Sequence, residues 1–312
     1  MPEGWLDFEE PLAELLDRVR ELNAIGARDE AARLLEQADK LKVKLYADLT
    51  PWQRVLLARH PRRPYSLDYI ERMVTDFVEL HGDRAFADDR AIVAGFGRID
   101  DIPFAITGHQ KGRDTRERIA RNFGQAHPEG FRKALRVMTT GARFGLPVLT
   151  LVDTPGAYPG VGAEERGQAE AIARNIREMA MLPVPVIVAV CGEGGSGGAL
   201  ALAVGNRVLM QENAVYSVIS PEGCASILWR DRARAEDAAE VLRMTAPDLV
   251  EFGIVDEVVP EPPGGAHQDW DEAARLLKQA VLANFNRTRS MSAEELVQDR
   301  VRKLAGVGVY AE

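Results

Sequence analysis

The chain has 312 residues, 46% of them hydrophobic, and 48 Asp and Glu against 39 Lys and Arg give it a formal net charge of -9. At roughly 150 residues per domain that is about two domains' worth of chain, enough to bury a large core without disulfides or metals, so a small stapled scaffold is excluded. The acidic balance, with a pI near 5.3, argues against general affinity for nucleic acid or anionic membranes.

Cys191 and Cys224 are too few for a four-cysteine zinc site or a disulfide framework, which points to a reducing compartment and a cytoplasmic address. The carboxylate-rich start lacks the basic, apolar pattern of a signal peptide and the acid-poor pattern of a transit peptide. The stretch Leu182 to Cys191 falls well short of the roughly 20 residues a spanning helix needs and contains Pro183 and Pro185, so no membrane segment is expected.

Residues 1 to about 60 predict a helical arm: Leu12, Leu15, Leu16, Val19 and Leu22, then Ala31, Leu34, Leu35, Ala38, Leu41 and Leu45, recur at spacings of three and four. Thr50-Pro51 predicts a helix start, and His60-Pro61-Arg62-Arg63-Pro64 a break and a boundary. A further helix is predicted with Ile70, Met73, Val74, Phe77 and Val78 on one face. From about residue 91, short apolar runs predict buried strands at Ala91–Ile99, Pro103–Thr107, Pro147–Val152, Val184–Val190 and Arg207–Met210. Helical patterns at about 130–144, 165–181 and 234–244 lie between or beyond them, and Gln268–Phe285 reads as another amphipathic helix. Strands alternating with helices predict an α/β core. The expected organisation is an arm over 1–60, a central domain over 61–290 and a helical tail over 291–312.

Two glycine-rich segments carry the chemistry. In Gly192-Glu193-Gly194-Gly195-Ser196-Gly197-Gly198, Gly192, Gly194 and Gly197 match G-x-G-x-x-G with Glu212 twenty residues on, but a dinucleotide site normally opens its domain. The same run matches G-x-S-x-G, which makes Ser196 a nucleophile candidate with His267 as base and Asp231, Asp248 or Asp256 as orienter. A third reading needs no reactive side chain: Gly197 and Gly198 at a helix start would aim backbone N–H groups at a developing oxyanion. In a fourth, the glycines only permit close packing.

The second segment, Asp153 to Gly162, matches the D-x-x-G of a nucleotide switch, but no G-x-x-x-x-G-K-[ST] accompanies it. Two glycine-rich turns after strands would bring both loops to one pocket. Between Gly108 and Arg121, Lys111, Arg113, Arg116, Arg118 and Arg121 face only Asp114 and Glu117. Lys111, Arg113 and Arg116 are candidates for contact with an anion or a partner, or members of a solvated helix face. His109 is too isolated to name as a base.

Taken together these runs resemble the alpha-subunit family of bacterial acetyl-CoA carboxylase carboxyltransferases. The resemblance extends through Leu6-Asp7-Phe8-Glu9, Ala58-Arg59-His60-Pro61, Gly82-Asp83-Arg84-Ala85, Gly108-His109-Gln110-Lys111-Gly112-Arg113, both glycine segments, Tyr216 to Trp229, and Glu261 to His267.

It implies a crotonase-like α/β spiral of strand-strand-helix units, and transfer of a carboxyl group from carboxybiotin on a biotin carrier protein to acetyl-CoA, giving malonyl-CoA for fatty acid synthesis. It also implies a beta subunit in an α2β2 heterotetramer, with biotin carboxylase and the biotin carboxyl carrier protein in the wider complex. Zinc would sit on the beta chain, with no metal or covalently bound cofactor on this one. By the same resemblance, Gly197 and Gly198 would form an oxyanion hole for the biotin enolate. Asp153, Thr154, Pro155, Gly156, Ala157, Tyr158, Gly160, Gly194 and Gly195 would shape the substrate pocket. A serine hydrolase and a non-catalytic scaffold are the competing classes.

Overall fold

The computed structural model describes residues 4–308; the last residues of the expected tail, 309–312, lie outside them. The arm is built from α1 (Glu10–Ala24), α2 (Arg28–Ala47) and α3 (Pro51–Ala58). Thr50 caps α3 as its sequence predicts: Gln53 N–H donates to Thr50 Oγ1 at 3.2 Å, and Thr50 N–H to Gln53 Oε1 at 2.8 Å. Such a box is worth about 1 kcal/mol. The proline-rich turn that follows ends α3, but its Arg63 is fully buried. The guanidinium meets the Glu261 carboxylate at 2.5 Å and donates to the Cys191 carbonyl at 2.6 Å.

The next helix, α4 (Ser66–Met73), is shorter than expected, because Thr75–Glu79 forms β1, an edge strand antiparallel to β2 (Ile92–Ile99). The apolar residues 70–78 have helical spacing, but Val74, Thr75 and Val78 are β-branched and Gly95 of β2 opens a slot for the chain. A β-carbon on Gly95 would lie 2.2 Å from the Val78 carbonyl oxygen. Close backbone approach therefore overrides helical periodicity here.

After β3 (Ile102–His109) come α5 (Thr115–Ala120), α6 (Pro128–Arg143) and β4 (Val148–Thr154). Next are α7 (Val161–Glu165), α8 (Gln168–Met181), β5 (Val186–Gly195) and α9 (Ser196–Leu200). The chain continues through β6 (Arg207–Gln211), β7 (Val215–Ser217), α10 (Pro221–Trp229), α11 (Ala235–Leu242), α12 (Ala246–Glu251) and β8 (Glu257–Val259). It closes with α13 (Trp270–Thr288) and α14 (Ala293–Ala305). The strands form one sheet in the order β1-β2-β3-β4-β5-β6-β8, with β7 paired to β5; from β3 onward every pairing is parallel.

The parallel strands are buried on both faces. In β5, Val186, Val188 and Val190 join one core with Phe131, Met138 and Met179, while Ile187, Ala189 and Cys191 join the other with Tyr69, Leu277 and Val281. Helices α6 and α8 thus cover one face and α4 and α13 the other, and each fully buried large aliphatic or aromatic side chain contributes about 1.5–3 kcal/mol. The tail is locked to this core by Arg300, which is fully buried and donates to the carbonyls of Ala180, Leu182 and Val184 and to Asn206 Oδ1. None of the helices among the described residues is long and apolar enough to cross a membrane.

Candidate functional site

The glycine run is strand where the sequence suggested a loop. β5 continues to Gly195 because Glu193, Gly194 and Gly195 pair with Val215, Tyr216 and Ser217 of β7, while Gly194 also pairs with Thr154 of β4. The chain turns only at Ser196, whose φ of 53° is unusual for a residue with a side chain. The short α9 begins there. Its first N–H groups have no intrahelical acceptor, and no other acceptor among the described residues meets those of Gly197 and Gly198.

The two glycines differ. A β-carbon on Gly198 would lie 2.4 Å from the Ala157 nitrogen and 2.5 Å from the Gly156 carbonyl carbon, so Gly198 is what lets the Asp153–Gly162 segment press against α9. At Gly197 the same test meets only Ile172, at 3.6 Å, an ordinary contact. Gly197 instead lines, with Ser196, Leu200, Tyr216, Val218 and Leu304, a largely apolar cavity of about 430 Å³.

The facing segment is held from beneath. Thr154 Oγ1 lies 2.7 Å from the Gly124 carbonyl and accepts from Gly156 N–H at 3.1 Å, and Gly156 has a φ of 150°. Gln168 Nε2 donates to the Tyr158 carbonyl at 2.9 Å, and the Tyr158 ring stacks on His127 with centroids 4.1 Å apart. Pro155 is exposed, Ala157, Tyr158 and Gly160 are half-buried, and Gly156, Thr154 and Asp153 are buried. Gly194 and Gly195 reach this region along β5, and Pro155, Gly194 and Gly195 share a small cleft with Arg59 and Glu193.

The basic segment is largely committed inward. Lys111 Nζ bridges Asp153 Oδ1 and Glu193 Oε1, each at 2.8 Å. Arg113 donates to the carbonyls of Pro61 and Arg63, pairs with Asp68, and lies between the rings of Tyr65 and Trp270. Neither is free for an external anion; Arg116 is exposed. His109 is fully buried, and burial pushes its imidazole down to about 4, so it is neutral and sealed from substrate. Glu193 and Arg59 escaped the sequence reading; a single carboxylate inside a glycine run was the signal for Glu193.

The competing motif readings lose their geometry. Gly192 and Gly194 lie within a strand and leave no phosphate-cradling loop. His267 is buried against His60, ring centroids 4.1 Å apart, with Glu9 Oε1 at 3.6 Å. Asp231, Asp248 and Asp256 are engaged by Ala233 N–H, Thr245 and Val208 N–H respectively, so none orients His267 toward Ser196.

Glu9, His60 and His267 bring one ligand atom each within 4.8 Å of one another, a set zinc accepts in principle. Both His60 nitrogens are taken, however: Nδ1 accepts from Arg62 N–H and Nε2 meets the Gly4 carbonyl, each at 3.1 Å. Leu6 N–H and the Tyr46 hydroxyl occupy the Glu9 carboxylate. The trio is a clasp between arm and core, in which His60 packs its ring on His267 and Glu9, held by Leu6 and Tyr46, stands beside it.

Residues 5–308 match the family model described as acetyl co-enzyme A carboxylase carboxyltransferase-like. The acetyl-coenzyme A carboxylase carboxyl transferase subunit alpha of Halorhodospira halophila is 57% identical over 314 residues, covering 99% of each chain. That of Bordetella pertussis is 54% identical over 318 residues, covering 100% of this chain and 99% of its own.

Among solved structures, transcarboxylase 12S superposes with a TM-score of 0.55 at 22% identity over 70% of this chain and 42% of that one. The beta subunit of Pseudomonas aeruginosa geranyl-CoA carboxylase gives 0.56 at 18% over 80% and 46%. These likenesses show the fold, and it is the crotonase-like α/β fold expected.

Proposed function

The chain belongs to the acetyl co-enzyme A carboxylase carboxyltransferase-like family, and on that footing we propose that it is the alpha subunit of an acetyl-CoA carboxylase carboxyltransferase. With a beta chain it moves a carboxyl group from carboxybiotin, presented by a carrier protein, to acetyl-CoA, forming malonyl-CoA. The partner assembly is an α2β2 heterotetramer working beside biotin carboxylase in the cytoplasm. Zinc in this reading belongs to the beta chain. The arm comprises residues 1–60, the catalytic domain 61–290 and the tail 291–312.

The observation that carries the reading is the pair Gly197 and Gly198 at the start of α9, with free N–H groups and a cavity beside them. As the N1–carboxyl bond of carboxybiotin breaks, its electron pair moves onto the ureido oxygen and CO2 leaves. The two N–H groups hold that oxyanion, each worth about 3–4 kcal/mol of transition-state stabilisation. The apolar cavity, lined by Leu200 and Tyr216, takes the bicyclic ring, and Tyr158, which is not part of that lining, contributes from the facing Asp153–Gly162 segment. The ureido anion then removes a proton from the acetyl methyl group, and the resulting enolate carbon bonds to CO2. A second oxyanion hole, on the beta chain, holds the thioester. No side-chain base is needed, which accounts for the buried, neutral His109.

The test is malonyl-CoA formation from carboxybiotin and acetyl-CoA, by this chain alone and mixed with a carboxyltransferase beta chain. Activity only in the mixture supports the shared site. Activity from the chain alone would place both oxyanion holes here and overturn the division of labour. A fluorophosphonate should not label Ser196.

A further inference from the structure

The backbone ladder between β4 and β5 lapses where the site begins. Partners run in step from Val148 with Val186 to Val152 with Val190, but the next pair is Thr154 with Gly194, so β5 gains two residues on β4 across the step. A bulge of this kind leaves backbone groups without their regular ladder partners and frees the strand ends to shift. Side chains fill the gap. Asp153 Oδ1 accepts Glu193 N–H at 3.0 Å, and Lys111 Nζ, from the segment after β3, reaches both carboxylates at 2.8 Å. Glu193 Oε2 in turn accepts from Arg59 Nε at 2.9 Å, and Arg59 Nη1 reaches Glu222 of α10 at 2.6 Å.

We infer that Lys111 is a positioning residue for carboxyl transfer: its ammonium replaces the missing ladder bonds and sets where the Gly194–Gly198 turn stands against the Thr154–Tyr158 segment. The inference rests on the function proposed above. Lys111 touches no substrate; it acts through Asp153 and Glu193, which lie at the roots of the two segments that meet at Gly198 and Ala157. Glu193 shares Arg59 with Glu222, and both it and Asp153 close around the Lys111 ammonium. Without it they repel one another across the bulge, and the cheapest relief is for the segments to part. Burial already pushes the Asp153 carboxyl up, opposed by Lys111, whereas Glu193 is held low by Lys111 and Arg59 despite its burial.

The test uses Lys111→Met and the double variant Lys111→Met/Asp153→Asn, each in complex with a beta chain. The double variant removes the surplus charge and keeps an oxygen for Glu193 N–H. Lys111→Met is expected to lower kcat at least 100-fold with KM for acetyl-CoA within twofold, and the double variant to recover at least tenfold of that loss. A Lys111→Met enzyme with wild-type kcat, or one that loses only in proportion to its folded fraction with no recovery in the double variant, overturns the inference.

Amide hydrogen exchange on the chain alone separates this from the functional reading. Lys111→Met should speed exchange across 154–158 and 192–198 and leave that of β2 and β3 unchanged, whether or not the wild-type complex makes malonyl-CoA. Unchanged exchange at both segments overturns the inference even if the complex is active.

Discussion

His127 and Tyr158 stack face to face, centroids 4.1 Å apart and planes 24° from parallel, with the Asp89 carboxylate accepting the His127 backbone N–H at 2.7 Å. In the function proposed above Tyr158 walls the biotin site, and the ring that props it, His127, is itself pinned to Asp89. His127→Ala should leave kcat nearly unchanged and raise KM for carboxybiotin about 2- to 10-fold, the equivalent of a lost ring stack of about 0.5–1.5 kcal/mol. Steady-state kinetics with free carboxybiotin would check it; an unchanged KM would show that Tyr158 forms no part of that pocket.

The unequal surroundings of Gly197 and Gly198 predict unequal substitutions. Gly198→Val forces the Gly156–Ala157 backbone away and should cut turnover more than about 100-fold while the subunits still assemble. Gly197→Ala keeps its N–H, has room for its methyl group, and should be as stable as the wild type or up to about 1 kcal/mol more so. Its turnover should stay within about tenfold. Equal losses from the two would contradict the steric difference between them.

The clasp between arm and core predicts a pH dependence. Burial and the neighbouring His267 pull His60 down from 6.5 to about 4, so the unfolded chain takes up this proton before the fold does. The stability His60 contributes is complete above pH 6.5 and is lost as the pH falls toward 4. Burial opposes ionisation of Glu261, yet the Arg63 guanidinium holds its carboxyl at about 2, below the ordinary 4.5. That contribution is complete above pH 4.5 and is lost as the pH falls through 2. Thermal unfolding should therefore show Tm dropping between pH 7 and pH 5, and His60→Asn should flatten that part of the profile while leaving the steeper loss below 4.5.

Arg300 fastens the tail by hydrogen bonds to carbonyls rather than by a carboxylate in contact with it. Arg300→Met keeps much of the volume but leaves buried acceptors without donors at the end of α8, and should cost about 2–4 kcal/mol. Chemical denaturation would measure it. A cost below about 0.5 kcal/mol would mean that α14 is dispensable to the core.

Much of this fold could be read from apolar runs. The strands from Ile102 to Gln211 announce themselves because parallel strands covered on both faces are continuously apolar, and the antiparallel β2 does so because it too is almost wholly buried. β1 did not, because its helical spacing is overruled by the slot at Gly95, a contact made with a strand further along the chain. The extension of β5 through Gly194 and Gly195 was equally hidden, since glycine favours turns locally and only pairing with β7 makes it strand. For the site, the glycine pair was legible as a pattern. The inward roles of Lys111 and Arg113 were not, because their partners Asp153, Glu193 and Asp68 lie elsewhere in the sequence.

The clasp of Glu9, Tyr46, His60 and His267 also sets an order of events during synthesis. Glu9 and His267 stand far apart in the chain, and at about 5–20 residues per second their meeting must wait on the order of 10–40 s after the arm emerges from the ribosome. During that interval α1 and α2 have only each other to cover the side chains that later face the core. The packing of α1 on α2 covers part of that apolar surface in the meantime.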